Sequence, residues 1–206
     1  MPKSFVIVDD FLANADEVRN SALSLDYPFP ESKTYFPGRN SEKRLLIDGL
    51  DQEVSSHVGE PLRPVQGTGH GKFRLSLEGD QGEGNIHIDP QCHWSGILYL
   101  SRPEDCQGGT DFFRHKPTNT DCAPITPDQL KAANLQSFQD IYNEIVIPHS
   151  NDSSKWERTM RIPMRYNRLI LLRPWFWHTA GPGFGHDLTT GRLVYLMFYV
   201  NGTQLI

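Results

Sequence analysis

The chain has 206 residues, 37% of them apolar and 22% charged, with a formal net charge of −5; that is enough for one domain with a substantial core, and no basic run offers the patch that a nucleic-acid or anionic-membrane partner needs. The apolar stretch Phe5 to Val8 is too short for a signal peptide or a membrane span, so a cytoplasmic location and no membrane partner are expected. Cys92, Cys106 and Cys122 cannot all pair within one chain and lack C-x-x-C spacing, so neither a disulfide framework nor a thiolate zinc site is indicated.

Phe5 to Val8 reads as a short buried strand. Asn14 is placed to cap a helix beginning Ala15-Asp-Glu, whose acidic residues suit the positive end, with Val18, Ala22 and Leu25 inward. Residues 26 to 44 carry Pro28, Pro30, Pro37 and Gly38 and read as loop. A short helix from about Asp51 to His57 follows.

From Lys72 the texture changes to strands. Lys72 to Glu78 alternates, with Phe73, Leu75 and Leu77 on one side, and Asn85 to Asp89 makes a short strand ended by Pro90. Trp94 to Ser101 is a richer apolar run, and Gly108-Gly109 opens a strand over Thr110 to Arg114. A long interruption, about 116–157, holds a helix with Thr126 as cap, Pro127 in the first position and Gln129 three residues on. Leu130, Phe138, Ile141, Tyr142 and Ile145 recur there at helical spacing. Strands resume over Thr159 to Met164, Leu169 to Leu172, Trp175 to Thr179 and Arg192 to Val200. Many short strands with Gly/Pro turns predict a mainly β chain with flanking helices, a β-sandwich or jelly roll, in a single domain over 1–206.

The chemistry concentrates at Asn85-Ile-His-Ile-Asp89. Residues two apart on a strand share a face, so His87 and Asp89 point one way and Ile86 and Ile88 the other. One imidazole and one carboxylate suit iron(II), manganese or zinc, but a facial site needs a third ligand. Of the other histidines, His178 is the best candidate, at the end of an apolar strand inside Arg173-Pro-Trp-Phe-Trp-His-Thr-Ala-Gly181. His57, His70 and His149 lie in polar or glycine-rich surroundings and read as surface residues; His93, His115 and His186 are the others. Alone, H-x-D is more often a hydrogen-bonded structural pair, and a lone aromatic-flanked histidine more often a core residue. Arg192 opens a strongly apolar strand, Gly191-Arg-Leu-Val-Tyr-Leu-Met-Phe198, where an unpaired charge is expensive and a guanidinium matches a carboxylate in two-pronged geometry.

Taken in order, these residues resemble the iron(II)/2-oxoglutarate-dependent dioxygenases, most nearly their prolyl 4-hydroxylase-like branch. The likeness runs over about Lys72 to Val200 with the insertion set aside. His87-x-Asp89 resembles the first two iron ligands and His178 the distal one. Ile97-Leu-Tyr-Leu100 followed by Gly108-Gly109-Thr110 resembles the family's apolar strand and Gly-Gly turn. Gly191-Arg192 resembles the basic residue that pairs with the far carboxylate of 2-oxoglutarate. The resemblance implies a double-stranded β-helix (a cupin-like jelly roll), a ferrous ion on His87, Asp89 and His178, 2-oxoglutarate anchored by Arg192, and dioxygen as oxidant. Oxidative decarboxylation to succinate and carbon dioxide would then drive hydroxylation of a small-molecule or peptidyl substrate. A carboxylate at Asp89 favours this outcome over halogenation, in which a small residue replaces the carboxylate.

Two departures stand out. The family's serine two residues after the arginine is Val194 here, so a second 2-oxoglutarate contact must come from elsewhere, with Tyr99 the candidate. No tyrosine precedes the H-x-D segment among Arg74, Ser76 and Glu78. Trp94, Trp175, Trp177, Phe112 and Phe184 are open to two readings, pocket lining or core. A non-catalytic cupin-like metal-binding or sensing module, and a metal-free jelly roll, are the competing readings of the whole.

Overall fold

The computed structural model describes residues 3–32 and 34–203. The expected single domain over 1–206 and loop over 26–44 therefore include positions outside the described residues, 1–2, 33 and 204–206. The fold is mainly β, with two antiparallel sheets and a few helices.

The elements of the first half are β1 (Phe5–Val8), α1 (Ala15–Leu23), β2 (Arg39–Asn40), α2 (Leu50–Val58), β3 (Leu62–Pro64), β4 (Phe73–Ser76), β5 (Trp94–Tyr99) and β6 (Gly109–His115). The second half has α3 (Pro127–Ala132), α4 (Phe138–Ile141), a π-helical turn (Tyr142–Val146), α5 (Ile147–His149), β7 (Trp156–Pro163), β8 (Leu169–Leu172), β9 (His178–Thr179) and β10 (Arg192–Asn201). The larger sheet runs β1-β8-β5-β10-β4-β2, with β3 also on β10; the smaller runs β7-β6-β9.

Period-2 alternation sorts the apolar residues into layers. On β8 and β10, Leu169, Leu171, Leu193, Tyr195, Met197 and Tyr199 face one way and form a core with Val18 and Ala22 of α1 and Val54 and Val58 of α2. Their neighbours Ile170, Leu172 and Val194 face the other way and pack with Tyr99, Phe112 and Ile162, joining the two sheets. A third cluster, built on Ile86, Ile88, Trp156 and Trp177, carries the inserted residues Ile141 and Ile145. The order is thus helices, large sheet, small sheet, inserted helices. No helix among the described residues is long and apolar enough to cross a membrane.

The structure departs from the sequence expectation in several places, among them β2 inside the expected loop 26–44 and the unexpected β3. Residues 85–89 form no strand: a single rung, His87 opposite His178, is all that pairs. The expected strand 175–179 shrinks to His178–Thr179, because the chain turns at Pro174-Trp175. The helical repeat of the insertion breaks after α3, where Asn134 adopts a left-handed φ of 57° and ends the turn. Asn14 stands at the cap position of α1 without a side-chain cap bond; only its carbonyl accepts, from the Glu17 and Val18 amides. The Thr126 capping box is present as expected, and Ser137 with Asp140 forms a second one for α4.

Candidate metal centre

The His87–His178 rung brings the two imidazoles together. Their backbones exchange both hydrogen bonds, at 2.9 and 3.0 Å, and the ring centroids lie 4.4 Å apart. Each ring is fixed the same way: Nδ1 sits 2.8 Å from a carbonyl two residues earlier, Asn85 for His87 and Phe176 for His178. A carbonyl only accepts, so Nδ1 carries the proton and Nε2 presents its lone pair. Asp89 Oδ1 lies 3.6 Å from His87 Nε2, and Oδ2 lies 3.4 Å from His178 Nε2. The three candidate ligand atoms all lie within 4.8 Å of one another. The sequence-derived triad is therefore one cluster, although its members come from an irregular segment and a two-residue strand.

Burial pushes His87 down to about 4, and His178 beside it acts in the same direction. Burial alone would raise Asp89, but His178 and His87 outweigh it and hold the carboxyl at about 2. His178 shows the reverse balance: burial lowers it, and the Asp89 carboxylate more than compensates and raises it. The site is thus an anion that gathers a cation from its surroundings, the arrangement in which a divalent ion displaces a proton. Ser95, on β5, donates to Asp89 Oδ2 at 2.6 Å, fixing the carboxylate from behind.

A cavity of about 100 Å³ opens over the triad, and Phe36, Pro37, Ile97, Leu196 and Phe198 make most of its wall apolar. Phe36 packs on the His87 ring at 4.4 Å. It is held there by Arg74, which donates to the Phe36 and Pro37 carbonyls and to Asn40 Oδ1. Burial pushes the Arg74 guanidinium down to about 10.

Leu196 and Phe198 line the cavity from β10, and Arg192 lies on the same face of that strand, opposite the cavity residue Ser76. Arg192 is 2% exposed, and its Nε and Nη2 have no hydrogen-bond partner. Its guanidinium stands 5.8 Å from the Tyr99 ring, and the Tyr99 hydroxyl meets Thr110 Oγ1 at 2.7 Å. Arg192 and Tyr99 therefore share one buried corner, as the sequence suggested, and Thr110 joins them.

Sequence reasoning missed Phe36, Arg74's holding role, Ser95 and Thr110. Ser95 did carry a signal, as a hydroxyl inside an otherwise apolar run; Thr110, between Gly109 and Asp111, and Phe36, in a loop far from the H-x-D segment in the chain, carried none. The reading of the other histidines needs correction. His57 is partly exposed beside Glu53, as expected, but His70 is buried, its Nδ1 accepting from the Phe198 amide. His149 is half-buried and stacks on His115, with 2.9 Å between His115 Nε2 and His149 Nδ1. Trp94, Trp177, Phe112 and Phe184 are core residues rather than cavity lining, while Trp175 stands beside His93.

Two solved structures share the architecture. HygX from Streptomyces hygroscopicus with nickel and 2-oxoglutarate bound superposes at a TM-score of 0.52 with 13% identity, over 98% of this chain and 84% of that one. HygX with nickel, 2-oxoglutarate and hygromycin B bound superposes at 0.50 with 14% identity and the same coverage. At these identities the likeness is one of fold. No curated protein matches the chain in sequence. A family model described as a family of unknown function, DUF6445, matches residues 2–199.

Proposed function

We propose that this chain, which belongs to the DUF6445 family, is an iron(II)- and 2-oxoglutarate-dependent dioxygenase of the double-stranded β-helix class that hydroxylates an unactivated C–H bond. The observation that carries the reading is Arg192, a buried guanidinium with two unpartnered nitrogens on the cavity face of β10. An unpaired buried charge is costly, and such a group is kept where a ligand carboxylate completes it. The fold shared with HygX, which binds nickel and 2-oxoglutarate, supports the same assignment.

The residues present fit the group. His87, His178 and Asp89 supply two nitrogens and one oxygen, with no thiolate, the donor set suited to iron(II) in an oxygenase. When bound, the metal with 2-oxoglutarate and dioxygen supplies the oxidation, with succinate and carbon dioxide as co-products. The protein provides the rest. His87 and His178 keep Nε2 unprotonated through their Nδ1–H bonds, and Ser95 fixes the Asp89 carboxylate. Arg192 takes the far carboxylate of 2-oxoglutarate, with the Tyr99 and Thr110 hydroxyls as its second contact. Phe36, pinned by Arg74, covers His87 and excludes water from the reacting face. The prolyl 4-hydroxylase-like branch is the nearest pattern within the superfamily.

Anaerobic titration of the metal-free protein with ferrous iron and then 2-oxoglutarate tests the reading. A weak visible band from the chelated keto acid is expected. It disappears in His178→Ala and requires at least tenfold more 2-oxoglutarate in Arg192→Ala. Iron binding without a band at any 2-oxoglutarate concentration overturns the oxygenase and leaves a metal-sensing module.

A further inference from the structure

The catalytic assignment leaves one charge in the cavity wall unmatched. The charges of a ferrous ion and of Arg192 are balanced by Asp89 and the two carboxylates of 2-oxoglutarate. Arg74 also lines the cavity and has no such counterpart. Among the described residues it makes no ion pair, and its four hydrogen bonds all go to uncharged oxygens. Two reach the Pro37 carbonyl, one that of Phe36 and one Asn40 Oδ1, which leaves an N–H of Nη1 without a partner.

The sheet register dictates this placement. On β4, Arg74 lies opposite Val194 of β10, and Ser76 lies opposite Arg192. Residues two apart on a strand share a face, so Arg74 and Arg192 are diagonal neighbours on the side that brings Leu196 and Phe198 to the cavity. Two like charges there repel, and burial disfavours both. Holding the Phe36–Pro37 loop explains the donors of Arg74 but not its charge, since an uncharged amide donates as well. The wall supplies no counter-charge: among the described residues the only carboxylate lining the cavity is Asp89, in the triad. Asp80 acts on Arg74 from outside that wall, with Oδ2 engaged by the Leu77 amide. Asn85, at the cavity edge, has its Oδ1 taken by the Thr179 hydroxyl and keeps only its amino group, a second donor.

We propose that Arg74 determines substrate specificity by pairing with a carboxylate of the substrate, whose aliphatic part lies along Phe36, Ile97, Leu196 and Phe198 over the triad. This rests on the oxygenase reading and names the substrate class for it, a singly charged aliphatic acid. One unmatched guanidinium calls for one negative charge, so the loaded site becomes neutral with a monoanion. A guanidinium and a carboxylate also meet with the stronger, charge-assisted kind of hydrogen bond. The apolar walls suit the chain that carries the acid group.

Wild type, Arg74→Met and Asn40→Ala are loaded anaerobically with ferrous iron and 2-oxoglutarate and titrated with hexanoate, hexanamide and hexylammonium, reading the shift of the visible band. In the wild type, hexanoate is expected to bind at least about tenfold more tightly than hexanamide, the difference between a charge-assisted and a neutral hydrogen bond, with hexylammonium weakest. Arg74→Met should form the band at the wild-type 2-oxoglutarate concentration and bind hexanoate no better than hexanamide. Asn40→Ala removes one loop contact and keeps the charge, so it should retain the preference. Equal binding of hexanoate and hexanamide by the wild type, or none of either, overturns the proposal and requires no variant to fold. A preference that survives in Arg74→Met, or is lost in Asn40→Ala, does the same. So does a greater 2-oxoglutarate requirement in Arg74→Met, which assigns Arg74 to the cosubstrate, or bleaching of the wild-type band by hexanoate, which puts the acid on Arg192 or the metal. Absence of the band in the wild type instead sinks the oxygenase reading itself; a normal band without a preference for the acid sinks only this inference.

Discussion

At the scale of single residues the proposed cosubstrate site rests on Arg192. Its guanidinium is buried without partners on Nε and Nη2, and burial lowers its pKa. Replacing such a charge with an apolar side chain of similar length is commonly stabilising, by about 1–4 kcal/mol. Arg192→Met is therefore expected to raise the melting temperature of the metal-free protein while abolishing any further rise on adding 2-oxoglutarate. A variant that melts lower than wild type would show that the guanidinium is already satisfied. The histidines make a pH prediction at the same scale. His87 and His115 both titrate at about 4 in the folded chain, below the ordinary value of 6.5, because burial disfavours their charged forms. The unfolded chain thus binds those protons first. Their contribution is present above pH 6.5 and is lost as pH falls from there toward 4. Urea melts of the metal-free protein across that window should show the decline, and His115→Asn should shallow it without touching the triad. Legibility in the sequence also differs residue by residue. His87, Asp89 and Arg192 announced themselves by spacing and by charge in an apolar run. Phe36 did not, because its role exists only once its loop has been brought to the triad.

At the scale of elements, regular segments were readable and irregular ones were not. α1, β8 and β10 fall where periodicity places them, α1 turning Val18 and Ala22 inward and β8 and β10 burying residues of both faces, whereas β1, expected as a buried strand, is only partly buried and leaves Ile7 exposed. The 85–89 segment has the alternation of a strand but makes one rung, because its other amides find partners off any ladder: Asn85 and Ile86 donate to Ser150, and Asp89 to the Pro174 carbonyl at a turn. Gly109 shows an element fixed by backbone conformation. It has φ +150°, and a Cβ there would overlap the Ile162 carbonyl on the paired strand β7. Gly109→Ala is expected to destabilise the chain by about 1–3 kcal/mol, read as a fall in the denaturation midpoint. It should also loosen the small sheet, which carries His178 on β9, so iron affinity should fall with it. An unchanged midpoint would mean that β6 can slide away from β7 at little cost.

At the scale of the whole molecule, the two sheets hold the site between them. The triad joins the small sheet, through His178, to the segment 85–89, while Arg192, Ser95 and Tyr99 belong to the large sheet. Metal and cosubstrate binding should therefore stabilise the fold as a unit. At a hundredfold excess over the dissociation constant, linkage predicts about 2.7 kcal/mol, visible as a common upward shift of all unfolding probes. A shift confined to one probe would show that the sheets unfold separately. The chain's chemistry was determined by sequence alone as far as residue type and period allow: a mainly β chain, an H-x-D pair on one face, a distal histidine and an arginine in an apolar strand. Those features are local, set by the alternation of side chains along an extended backbone. Only the tertiary structure decided that the His178 and His87 backbones pair, that Phe36 lies on His87, and that the insertion packs on Ile86 and Ile88 behind the triad. Each of these joins residues distant in the chain, and packing, which depends on shape complementarity rather than on period, selects among the many pairings the sequence permits.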